Sequence, residues 1–301
     1  RCGYTHADNS YTMESPYVKG LQIRRDHDSF RKLLLGGSLK ARKWWVDKVE
    51  FEPAYVQTYK EIQGIETDIR QAHTTSRAVL LSNKLEKDDF LIEGLDFDMN
   101  TAVAYTEYSL IHTAKLWYDW RGNAYPTPSP LGGELGNRFP TESFNRKVSL
   151  INKLNLEYLI SKNHSVSLNS VITLANGYPS DPLKEQSLGK KIDFDSRMKS
   201  WVAGLSYDFH TTDDRFLNSL TGRFYWYKTN TMYQNIYVNM PPEDISIDTS
   251  SFGVSDAMRY RITPAFMAKL SGGYDVRIPA ENELLGDGYS VIPSEKLMPE
   301  R

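Results

Sequence analysis

Apolar and polar residues alternate with a period of two along most of this chain, the pattern of strands in a sheet with one apolar and one polar side. Val148, Leu150, Leu154, Leu156, Tyr158 and Ile160 oppose Lys147, Ser149, Lys153, Asn155 and Glu157. Ser161-Lys162-Asn163 turns the chain, and Val166, Leu168, Ile172 and Leu174 return against Ser165, Ser167, Asn169 and Thr173. Trp201, Ala203, Leu205, Tyr207 and Phe209 alternate with Ser200, Gly204, Ser206 and Asp208. Near the end, Phe266, Ala268, Leu270, Gly272 and Tyr274 alternate with Lys269, Ser271, Gly273, Asp275 and Arg277. Further strands are expected at 17–23, 30–43, 49–59, 76–86, 90–110, 220–234 and 252–262, about eleven in all. Pro53 lacks a ladder donor, which predicts a bulge or weak pairing there. The strand at 220–234 is aromatic on both sides, so its facing stays open.

The joints between these strands alternate in length. Residues 44–48, 87–89, 161–163, 211–218 and 263–264 are short, whereas 60–75, 111–143, 176–195, 235–251 and the stretch from 279 onward are long. A transmembrane β-barrel has this rhythm, with brief turns on one side of the membrane and extended loops on the other. Strands of about 10–15 residues exceed the usual length in soluble sheets and suffice to cross a bilayer at a tilt. The fold class expected is therefore all-β, an antiparallel transmembrane β-barrel section. An open sheet edge is not viable in hydrocarbon, because each unpaired backbone group there costs several kcal/mol. Eleven strands with two free edges thus belong to a larger closed barrel.

Composition sharpens this without changing it. A formal charge of −2 over 301 residues argues against a nucleic-acid groove and against a polybasic membrane patch. Cys2 is the sole cysteine, so neither an internal disulfide nor a cysteine metal cluster is available. No apolar run is long enough for a membrane-spanning helix, which says nothing against spanning strands. The 19 Tyr and 6 Trp suit the aromatic girdles of a barrel. The opening RCGYTHADNS lacks an initiator Met and the apolar segment of a signal peptide, and the chain stops at Leu297-Met298-Pro299-Glu300-Arg301 without a cap or turn, so both ends are expected to be cuts in a longer protein.

Four segments carry a family resemblance: Tyr260-Arg261-Ile262-Thr263-Pro264, Gly273-Tyr274-Asp275-Val276-Arg277-Ile278-Pro279, Glu283-Leu284-Leu285-Gly286-Asp287-Gly288 and Leu297-Met298-Pro299-Glu300. They resemble the barrel of TonB-dependent outer-membrane receptors, Bacteroidetes-like ones especially, with Met298 standing where the family usually has Lys. The resemblance implies a barrel of about 22 strands with a plugged lumen, of which residues 1–301 form a partial barrel domain without the plug. It implies the bacterial outer membrane, import of a scarce nutrient (an iron chelate, haem, cobalamin or an oligosaccharide), and a TonB-type energy-transducing partner acting through the plug region. Outer-membrane lipid and a small nutrient ligand are the other partners expected; no nucleic acid, no cofactor and no catalytic residue are. Two rival readings remain at this level: a barrel that is no TonB-dependent receptor, such as a porin or a barrel enzyme, and a soluble all-β glycan-binding or adhesive protein.

Candidate chemistry is sparse. Trp117, Tyr118, Trp120 and Arg121 in the loop 111–143, with Tyr178, Tyr233 and Tyr237, are the ligand-binding candidates. Aromatic faces and Arg on outer loops stack on sugars, porphyrins and aromatic chelators; the same residues also build the interfacial girdle of a barrel. Asp96, Asp98, Asn100 and Glu107 match positions of a calcium loop, but Thr101 stands where the sharp turn needs Gly, and residues at i, i+2 and i+4 of a strand simply share a face. The six His show no H-x-x-x-H spacing, so no zinc site is expected. Residues 282–294 are expected to shape an outer loop rather than touch cargo.

Overall fold

The computed structural model describes the chain except for residues 44, 136–139, 235–239, 281–282, 285–296 and 298–301 and the side chain of Tyr233. The strands are β1 (Cys2–Asp8), β2 (Tyr11–Glu14), β3 (Gln22–Arg25), β4 (Ser29–Gly36), β5 (Leu39–Arg42), β6 (Lys48–Glu61), β7 (His73–Lys87) and β8 (Leu95–His112). They continue as β9 (Leu116–Tyr118), β10 (Ala124–Pro126), β11 (Thr141–Ser161), β12 (His164–Ser180), β13 (Ser196–His210), β14 (Phe216–Tyr233), β15 (Glu243–Thr263) and β16 (Phe266–Tyr274), with one short helix, α1 (Pro182–Leu188), between β12 and β13. The main sheet is an antiparallel meander in the order β1-β4-β6-β7-β8-β11-β12-β13-β14-β15-β16, with β5 also on β6. It is open, with β1 and β16 at its edges.

The joints fall at alternate ends of this sheet. One end carries 43–47, 88–94, 162–163, 211–215 and 264–265; the other carries 9–28, 62–72, 113–140, 181–195 and 234–242. The strands are longer than the periodicity predicts, reaching 21 residues in β11 and β15. At about 3.4 Å per residue and a tilt near 45°, such a strand climbs about 50 Å, roughly twice the height of a barrel's apolar band. The excess lies on the long-loop side, where the sheet continues past the apolar positions.

Register fixes the two faces. Leu85, Met99 and Leu154 lie in one row across β7, β8 and β11, and Leu81, Val103, Leu150 and Leu174 in another. These apolar side chains point away from any core: Leu205 is 57% exposed, Phe252 68% and Leu270 73%. A sheet that exposes its apolar face and keeps its polar face inward inverts the soluble arrangement, as a lipid-facing barrel must. On the inner face Lys48 pairs with Glu86 at 3.0 Å and Lys84 with Asp98 at 3.4 Å, so the inward charges neutralise one another across β6, β7 and β8. In β14 the facing resolves: Tyr225 and Tyr227 are buried on the inner face, while Phe224 packs between Trp201, edge to face, and Phe252, tilted, on the outer one.

Three local expectations need correction. Residues 17–23 are not a strand of the sheet; they close the β2–β3 hairpin, turned by Ser15 Oγ accepting from the backbone of Val18 and by Gly20 at φ +79°. The first sheet strand is β1, whose sequence does not alternate. The stretch 30–43 splits into β4 and β5 at Gly37-Ser38, opposite Pro53, which has no N–H to give and accepts from Gly37 N at 3.0 Å instead. The register is the same on both sides of this gap, so Pro53 interrupts the ladder without a bulge. Residues 90–94 belong to a turn, where Asp89, Leu91 and Gly94 take positive φ and Asp89 Oδ1 accepts from Gly94 N at 2.7 Å.

After β16 the chain leaves the sheet halfway along β15 and turns inward. Asp275 accepts from Arg223 Nη1 at 2.9 Å and from the Tyr225 hydroxyl, and Leu284 is buried with Ala175, Met198 and Tyr227 on the inner face. Gly253 permits the crossing, because a Cβ there would sit 2.9 Å from Asp275 Oδ1 and 3.0 Å from Tyr274 O. Most of 282–294 lies outside the described residues; of its described part, Leu284 packs against the inner face, while Glu283 accepts from Arg277 and from Ala280 N.

Candidate ligand-binding site

Two long loops, 62–72 and 113–140, meet at the end of the sheet that carries the extended joints. Within the second, β9 and β10 form a hairpin whose turn is built by Asp119. Its Oδ1 accepts from Arg121 N at 2.9 Å and Asn123 N at 2.8 Å; its Oδ2 accepts from Asn123 Nδ2 at 2.8 Å and the Tyr125 hydroxyl at 3.2 Å. The Asn123 side-chain amide, with these other donors, holds the Asp119 carboxyl below the usual carboxylate range. Across the hairpin Trp117 stacks on Tyr125 with ring centres 4.6 Å apart.

The hairpin is tied to the first loop. Asp68 N donates to Tyr118 O at 2.9 Å, and Trp120 Nε1 donates to Ile65 O at 2.9 Å. Arg70 lays its guanidinium 3.6 Å over the Tyr118 ring while bonding Asp68. A buried carboxylate completes the junction: Glu134 accepts from Arg70 N at 2.9 Å, Gln71 N at 2.7 Å and Ala72 N at 2.5 Å. Three backbone donors converging on one carboxylate satisfy a charge that burial would otherwise make costly. Gly132 and Gly133 bring Glu134 there at φ +115° and +117°, and a Cβ on Gly132 would sit 2.3 Å from Thr113 O.

Between the loops opens a cleft of about 530 Å³, walled by Tyr17, Ile65, Ile69, Trp117, Pro128 and Glu134. Its volume and its apolar, aromatic walls suit a small molecule. The residues singled out from sequence divide here. Trp117 faces the cleft; Tyr118 and Trp120 are committed to holding the two loops together; Arg121 is exposed at the hairpin turn. Tyr178 lies on β12 opposite Arg146, in the face that carries Ile172 and Leu174, so it sits with the outward side chains and apart from the cleft. Tyr233 ends β14 with its side chain outside the described residues, and Tyr237 lies outside them entirely. Arg70, Glu134 and Tyr17 carried no sequence signal. Their roles rest on contacts across some 60 residues, and Glu134 is recognised by backbone N–H groups, which no motif encodes.

The calcium-like spacing dissolves in the register. Asp98 faces inward to Lys84, whereas Glu107 faces outward between Arg77 at 3.6 Å and Arg146 at 3.1 Å. Among the described residues no three His, Cys, Asp or Glu side chains gather as a metal site.

No family model matches the sequence, and no curated protein does. Solved structures match the fold, two receptors among them. One is the Serratia marcescens hemophore receptor HasR, solved as a double mutant in complex with its hemophore HasA and heme, with TM-score 0.55, 13% identity, and coverage of 99% of this chain and 44% of that one. The other is the ferric yersiniabactin uptake receptor FyuA of Yersinia pestis, with TM-score 0.51, 14% identity, and coverage of 87% of this chain and 44% of that one. What they share with this chain is the fold. The chain spans under half the length of either receptor, and at these identities the likeness carries the strand meander and nothing about cargo.

Proposed function

We propose that this chain is part of the barrel of a TonB-dependent outer-membrane receptor that captures a small nutrient in its outer loops and imports it. The observation that carries the reading is the meander itself: long strands with an exposed apolar face, a polar inner face, and every long joint at one end. Its fold likeness to two uptake receptors supports the same choice over a porin or a barrel enzyme. The soluble glycan-binding reading is disfavoured by the exposed rows of Leu, Val and Phe, which water would not tolerate over so large a face. The energy-transducing partner would act through a plug region, and the bacterial outer membrane is the compartment.

The cleft narrows the ligand to a class. Its walls present Trp117, Ile65, Ile69 and Pro128; of the two carboxylates that line it, Glu134 is already satisfied by three backbone donors and Glu66 is exposed. A flat, largely apolar ligand such as haem or an aromatic iron chelate suits it better than an oligosaccharide or cobalamin. Purified full-length receptor titrated with haemin, a ferric aromatic siderophore, maltohexaose and cyanocobalamin tests this. The expected result is saturable binding of one of the first two, weakened about fivefold to tenfold by Trp117→Ala and little by Trp117→Phe. Binding of the oligosaccharide alone would sink the ligand class.

A further inference from the structure

The apolar face carries a polar streak at its centre. Asn83 on β7 pairs in register with Thr101 on β8, and Thr101 with Asn152 on β11, so the three lie in one outward row. Each is flanked along its own strand by apolar outward residues: Leu81 and Leu85, Met99 and Val103, Leu150 and Leu154. The row of Arg77, Glu107 and Arg146 lies three outward positions away towards the long loops, and the row of Leu95 and Tyr158 three towards the short turns. In these strands the streak therefore stands at mid-height of the apolar band. Phe51 continues its row on one side, and Ile172 and Trp201 continue it on the other.

Two other polar side chains on this face are satisfied within the chain. Ser170, in the row of Leu154, accepts from Trp201 Nε1 at 2.9 Å. Asp256, in the row of Tyr207 nearer the short turns, accepts from Asn218 Nδ2 at 2.6 Å. The streak is not satisfied in this way. Asn152 Nδ2 donates to Thr101 Oγ1 at 2.7 Å, and the Asn152 side-chain carbonyl accepts from nothing among the described residues. Asn83 Oδ1 is covered by its surroundings without a hydrogen-bond partner, and the Asn83 amide donates to nothing among the described residues. Hydrocarbon offers neither donor nor acceptor, so bonds left unmade at this depth are costly.

We infer that the streak is the centre of an interface with a second copy of this chain, formed within the membrane. The inference rests on the membrane-barrel reading above. A side-chain amide is donor and acceptor at once, so two amides about a hydroxyl complement themselves when turned through a two-fold axis. Polar side chains that bond across membrane-spanning elements hold them together where hydrophobic burial supplies no drive. The axis would pass beside Thr101, with β7 and β6 on one flank of β8 and β11 and β12 on the other. The relief of the face suits that exchange. On one flank the break between β4 and β5 leaves a dent of about 300 Å³ between Leu35, Pro53, Tyr55, Val79 and Leu81; on the other, Ile172 of β12 is exposed. Three polar side chains make a small contact, so association is reversible and follows protein density in the bilayer.

The test uses the full-length protein, labelled at its C terminus with a donor dye in one batch and an acceptor dye in another, and reconstituted together in phosphatidylcholine vesicles. Energy transfer should rise with protein density and fall when unlabelled protein is added. Asn83→Leu and Asn152→Leu should each weaken association about threefold to tenfold, and the double variant should show no transfer at densities where the unmodified protein pairs. Leucine suits lipid at both positions, so the unfolding midpoint of these variants, measured in the same vesicles, should not fall. Phe252→Leu, on β15 away from the streak, should leave transfer unchanged. Transfer absent at every density would mean that the streak meets lipid or another protein, and would overturn the interface. Undiminished transfer in the double variant would overturn it too; either result leaves the barrel intact. A protein that fails to insert and washes off the vesicles with salt would overturn the barrel reading, and the interface with it.

Discussion

Asp119 and Glu134 build the loop junction with the same chemistry, a carboxylate collecting backbone N–H groups, yet they differ in legibility. Asp119 lies inside Trp117-Tyr118-Asp119-Trp120-Arg121, where the aromatics draw attention and the turn-forming acid does not. Glu134 acts on a loop more than 60 residues away. The sequence marks this loop as aromatic and exposed; it does not tell that Trp120 is a fastener and Trp117 a wall. Asp119 carries a pH dependence whose sign follows from its lowered value: the carboxylate's contribution is complete above the ordinary carboxylate range and is lost as pH falls through the depressed value. Amide exchange of Arg121 and Asn123 should therefore accelerate on acidification and become insensitive to pH, after correction for intrinsic rates, in Asp119→Asn. Unchanged protection down to the lowest pH would mean that the hairpin holds without its acid.

At the scale of elements, strands with one apolar face declared themselves, and the others did not. β11, β12 and β13 were legible because Leu and Val alternate with Ser, Asn and Lys over their length. β1 has Tyr4 and Ala7 on opposite faces and no periodicity, so only its ladder to β4 reveals it. β14 needed its neighbours: its register with β13 and β15 turns Tyr225 and Tyr227 inward, where the segment after β16 folds back over them. The outer extensions of β11 and β15 passed for loops because beyond the apolar band neither face meets lipid and the alternation fades. Where it holds, facing is testable: Leu154→Arg or Leu205→Arg, placed in the apolar band, should each cost about 2–4 kcal/mol in denaturant unfolding from vesicles. Asn155→Arg and Ser206→Arg, one position along but inward, should cost distinctly less. Equal costs on both faces would mean that the apolar rows do not face lipid.

For the whole molecule, a charge of −2 described the sum and hid the arrangement. Inner acids and bases pair across β6, β7 and β8, and outward Arg77 and Arg146 pair with Glu107, so charges of both signs are matched within each face. The alternation of joint lengths survived folding because topology enforces it: in an up-and-down meander every second joint must lie at the same end. Everything functional proposed above depends on the apolar face meeting lipid. Spin labels attached to single cysteines at 152–157 in β11 and 166–171 in β12, in the full-length protein reconstituted in bilayers, test that dependence. Accessibility to oxygen, which concentrates in lipid, should peak at Leu154, Leu156 and Leu168, and accessibility to a water-soluble nickel chelate at Asn155, Glu157 and Asn169, with a period of two. Nickel access at both sets of positions, without alternation, would contradict the membrane barrel outright.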